Sequence, residues 1–70
     1  MALSNEEKIS IVSQNQRNVE LSKYSIELAL IQENALTSPN ASTVSSLQNE
    51  IVDCDKKLTA LANELSNLNS

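Results

Sequence analysis

Asp53-Cys54-Asp55 is the one place in this 70-residue chain where a thiol stands between two carboxylates, the residue types of a metal site or an activated nucleophile. On a helix, successive side chains point about 100° apart, so three neighbours do not converge on one ion. Flanking negative charge also raises a thiol pKa instead of activating it. Cys54 is the lone cysteine and histidine is absent, which leaves neither a zinc set nor an intramolecular disulfide. Glu6-Glu7 has the residue types of a general acid and base, yet no nucleophile or glycine-rich loop accompanies the pair, and it reads as charge at a helix start. Asn40-Ala41-Ser42 matches the glycosylation acceptor pattern, but the triplet arises readily by chance in a chain so rich in Asn and Ser, and no secretory signal is present. Lys56-Lys57 reads as a solvated face, with Asp53 able to pair with Lys57 one turn on. These residues predict no catalysis, no metal and no cofactor.

Composition narrows the remaining classes. The net charge is -4, and the five basic residues, Lys8, Arg17, Lys23, Lys56 and Lys57, are not gathered on one helical face. A nucleic-acid binder draws most of its affinity from basic residues on phosphates, so the charge argues against that class and places a nucleic-acid regulator third among the readings, and attraction to an anionic membrane surface is weakened for the same reason. No apolar run approaches the roughly 20 residues of a membrane span. The first residues, MALSNEEKIS, lack the charged and apolar regions of a secretory signal, and the chain reads as soluble, unprocessed and cytoplasmic. Apolar residues make up 40% of the sequence, but Tyr24 is the single aromatic, a composition suited to helical packing by Leu, Ile, Val and Ala.

Which elements carry these residues follows from spacing. Val44, Leu47, Ile51, Cys54, Leu58, Leu61, Leu65 and Leu68 alternate steps of three and four, a heptad seam on a helix over about 39–69. The first helix, about 4–36, opens on LSNEEK, where Ser4 and Glu7 make a capping box. Ile9, Val12, Val19, Ile26 and Leu30 fall within a sector of about 100° on this helix. Gln16 and Lys23 interrupt that seam with polar groups, which in coiled coils set register and partner choice. Leu21, Tyr24, Leu28, Ile31 and Ala35 form a second stripe on nearly the opposite side. Between the helices, Ser38-Pro39 suits an N-cap and first helical position, leaving a turn at 37–39.

So short a connection sets the helices antiparallel and adjacent. The predicted fold is all-α, an antiparallel two-helix coiled-coil hairpin in a single domain. Counting outward from the turn places Leu36 near Val44, Ile26 near Cys54, Val19 near Leu61 and Val12 near Leu68. One internal seam cannot cover two faces of the first helix, so Leu21, Tyr24, Leu28, Ile31 and Ala35 are the expected partner-binding residues. The cover is either another protein or a second copy completing a four-helix bundle.

The architecture and size are similar to the plasmid copy-number regulators that dimerise as helical hairpins, without their basic and aromatic RNA-facing residues. Ser38-Pro39-Asn40 followed by Leu47-Gln48 in the next helix resembles the small helical hairpins of bacterial type III secretion, the needle subunits and their acidic co-chaperones. The needle proteins' second turn proline and N-terminal extension are lacking. The co-chaperone resemblance implies a non-enzymatic protein that masks an aggregation-prone subunit by helix docking. A homo-oligomeric structural or assembly protein of phage type is the alternative.

Overall fold

The computed structural model describes residues 2–70. Two helices account for nearly all of them, α1 (Asn5–Asn34) and α2 (Ala41–Asn69), and the protein is an all-α antiparallel hairpin. It measures 55 × 17 × 14 Å. The long dimension is that of one helix with the turn and chain ends added, since 30 residues of α-helix span about 45 Å.

Each helix starts where a side chain satisfies its orphan amides. Ser4 Oγ accepts the Glu7 N–H at 3.1 Å, and Glu7 Oε1 accepts the Ser4 N–H at 3.0 Å, closing the capping box. The Ser4 backbone N–H, helped by its hydroxyl, holds the Glu7 carboxyl below the usual glutamate range. At the other end of α1 the Ala35 N–H donates to the Ile31 and Gln32 carbonyls and the Leu36 N–H to the Glu33 carbonyl. The turn requires no positive φ among the described residues, so a chain without glycine can make it.

The turn corrects one feature of the sequence reading. Pro39 does not open α2. Asn40 is the N-cap, extended at φ -80° and ψ 115°, and its Oδ1 accepts the Thr43 N–H at 3.0 Å. The Asn40 N–H in turn donates to Glu33 Oε1 at 2.9 Å, so a carboxylate from α1 clamps the start of α2. With helix 1 ending at Asn34, the connection runs over 35–40. Leu36 therefore lies in the connection, outside the helical period, and is 54% exposed.

The core is a single line of contact. On α2, seven of the eight heptad positions from Val44 to Leu68 are half-buried and Cys54 is buried; facing them on α1 are half-buried Ile9, Val12, Gln16, Val19, Lys23, Ile26, Leu30 and Glu33. The α1 positions follow the same alternation of three and four. Cys54 is the only buried residue among those described, because two helices cover each other on one face alone. Lys23 Nζ lies 2.7 Å from Asp55 Oδ1 across the seam, which marks the register of the two helices, and at the open end Val12 and Leu68 line one cleft.

Candidate protein-binding face

The residues with chemical potential do not assemble into a reactive site. Cys54 packs into the seam. Its neighbour Asp55 reaches across to Lys23, so the side chains of the Asp-Cys-Asp triplet serve different ends. No group of three His, Cys, Asp or Glu side chains suited to a metal occurs among the described residues. The Asn40 side chain is spent on capping α2. A shallow open cleft of about 350 Å³ at the free end, lined by Leu3, Ile11, Val12 and Leu68 with Lys8 and Glu64 beside them, brings together no nucleophile and base.

Large apolar side chains in water are the distinctive feature. Along α1, Leu21 is 54% exposed, Tyr24 61%, Leu28 38% and Ile31 63%, and Ala35 continues the line in solvent. Tyr24 therefore does not seal the hairpin core. At the same two heptad places nearer the N-terminus stand Glu7, Ser10, Gln14 and Arg17, so the stripe is bounded, about 21 Å from Leu21 to Ala35. Val12, Val19, Ile26 and Leu30 turn the other way into the seam. The large apolar residues of α1 thus point to two sides, whereas those of α2, Val52 excepted, point to one.

Sequence spacing on α1 alone does not find Val52, which is 51% exposed on α2. Its signal is its place one residue after the seam position Ile51, as Tyr24 follows Lys23 and Ile31 follows Leu30. In an antiparallel pair with a shared seam, those places on the two helices lie on the same side. Val52 belongs to the broad face that carries Tyr24 and Ile31.

The edges of the stripe differ in charge. Toward α2 run Glu20 and Glu27, one heptad apart, and on the far edge stand Asn18, Ser25 and Gln32. Lys23 is held above the ordinary lysine range by its hydrogen bond to Asp55, with partial burial opposing and the Asp55 and Glu27 charges reinforcing. Arg17 lies 3.7 Å from Glu20 in a solvent-exposed pair, a geometry worth little in stability. Both basic residues near the stripe are thus paired to carboxylates. No helix of the described residues is long and apolar enough to cross a membrane. No protein-family model matches the chain, and no curated protein or solved structure matches it.

Proposed function

We propose that this protein is a non-enzymatic interaction module that binds another protein's helix along the α1 stripe of Leu21, Tyr24, Leu28, Ile31 and Ala35. The observation that carries the reading is the exposure of that stripe at heptad spacing, the pattern by which one helix receives another. Each large side chain fully removed from water by a partner contributes about 1.5–3 kcal/mol. The concrete form of the role is that of a cytoplasmic co-chaperone keeping an aggregation-prone helical subunit soluble, as the likeness of Ser38-Pro39-Asn40 to type III secretion hairpins implies. The alternative is a homo-oligomeric assembly protein in which a second copy covers the stripe.

Circular dichroism melts and light scattering of the wild type and Leu28→Glu test the reading. The expected result is a wild-type hairpin of low thermal stability that gains at least several degrees when an amphipathic helix is supplied, with Leu28→Glu folded but gaining nothing. A wild type that stays monomeric, melts cooperatively at high temperature and ignores every supplied helix overturns it. A concentration-dependent dimer that Leu28→Glu converts to a folded monomer moves the assignment to the assembly protein.

A further inference from the structure

We propose that the occupant of the α1 stripe is an amphipathic helix of a different protein that carries Lys or Arg one heptad apart on a single edge. The inference rests on the docking reading above and adds the chemistry of the partner. Two observations support it, surface area and charge.

The first is how much surface is left open. A compact monomer of 7.6 kDa exposes about 4,300 Å², and this hairpin exposes 5188 Å², about 900 Å² more. A stable association buries about 800 Å² on each partner. The excess is comparable to one interface side, and the large exposed apolar residues of the two helices include Leu21, Tyr24, Leu28 and Ile31 on α1 and Val52 on α2.

The second observation selects the occupant. Glu20 and Glu27 line one edge of the stripe; Lys23 is hydrogen-bonded to Asp55, and Arg17 makes only a loose, exposed contact with Glu20, which a partner's base can replace. An antiparallel copy of α1 centred near Leu28 would set Glu27 against Glu27 of the second copy, and a parallel copy would set Glu20 and Glu27 against the neutral edge of Ser25 and Gln32, so in neither arrangement does a second α1 stripe bring a base to the acidic edge. A helix bearing two basic residues seven apart meets Glu20 and Glu27 together. Its other edge faces Asn18, Ser25 and Gln32, which ask for no charge. The apolar line supplies affinity, and the acidic edge supplies orientation and choice of partner.

Two synthetic helical peptides test this, sharing one Leu/Ile heptad seam of about four turns and differing only in whether one edge carries Lys or Glu at two places seven apart. Binding is measured by fluorescence anisotropy at low and high salt, alongside light scattering of the unliganded protein. The expected preference for the Lys peptide is about tenfold at low salt, shrinking in high salt and in the Glu20→Gln, Glu27→Gln double variant. Leu28→Glu makes the face more acidic, and it is expected to bind neither peptide. Equal binding of both peptides to the wild type overturns the charge assignment while leaving helix docking intact. Undiminished binding of the Lys peptide to folded Leu28→Glu overturns both, because attraction would then operate away from the stripe. A wild-type dimer that excludes both peptides overturns the proposal in favour of a second copy.

Discussion

Asn40 shows how much one side chain decides in this chain. Its side-chain oxygen Oδ1 caps α2 by accepting the Thr43 N–H, while the backbone N–H of the same residue donates to Glu33, so this residue ties the end of one helix to the start of the next. Asn40→Ala is predicted to cost about 1 kcal/mol, a fall of several degrees in melting temperature by circular dichroism. Pro39→Ala should cost clearly less, because Pro39 lies outside the helix; equal losses would return the cap to Ser38. Glu7 makes a second prediction, in pH. Its carboxyl is held below the ordinary value, so its contribution is present above about pH 4.5 and is lost as pH falls through the lowered value. The gap in melting temperature between wild type and Glu7→Ala should therefore be full at neutral pH and close in acid. A gap independent of pH would remove the carboxylate from the cap. The Ser4–Glu7 box was legible as a string because its partners lie within one turn of each other. The Asn40 cap was not, since Ser38 and Asn40 are both good caps and the choice depends on where Glu33 arrives from α1.

The two helices divide the labour unequally. α2 presents one apolar seam, and it was readable from end to end because its polar residues fill nearly every other place. α1 gives α2 a seam broken by Gln16, Lys23 and Glu33 and keeps Leu21, Tyr24, Leu28 and Ile31 outside. Leu58→Ala is predicted to lower unfolding stability by about 2 kcal/mol, since half-buried Leu58 stands in the seam. Leu21→Ala should stay within about 0.5 kcal/mol in the isolated protein, because its side chain is already in water. Urea denaturation of the two variants checks the pair, and similar losses would mean that α1 turns both faces to cover. Lys23 illustrates why a polar seam residue is tolerated, as its ammonium leaves the apolar line to reach Asp55 at 2.7 Å.

For the whole molecule, shape is the dominant fact. A radius of gyration of 16.2 Å is far above the roughly 11 Å of a compact 70-residue chain, so little of the surface is shielded. Small domains are marginal even when compact, and one buried residue among those described is a thin core. The low intrinsic melting temperature expected above, and its rise when a helix covers α1, belong to this scale. Binding adds to stability as the logarithm of ligand concentration relative to its Kd. The same elongation brings the exposed apolar stripe and its acidic edge onto one accessible side.

By itself the sequence determined the two helices, their antiparallel sense and the α2 seam, because three-four spacing and a short connection act through local geometry that composition cannot override. Tertiary structure alone decided three things: that Asn40 caps α2 with Glu33 bound to its N–H, that Leu36 is left in solvent, and that Val52 shares a face with Tyr24 and Ile31. The first two depend on the path of the chain through the turn, where Glu33 of α1 reaches the Asn40 N–H; the third depends on residues far apart in sequence, whose placement is undetermined until the register of the two helices is fixed.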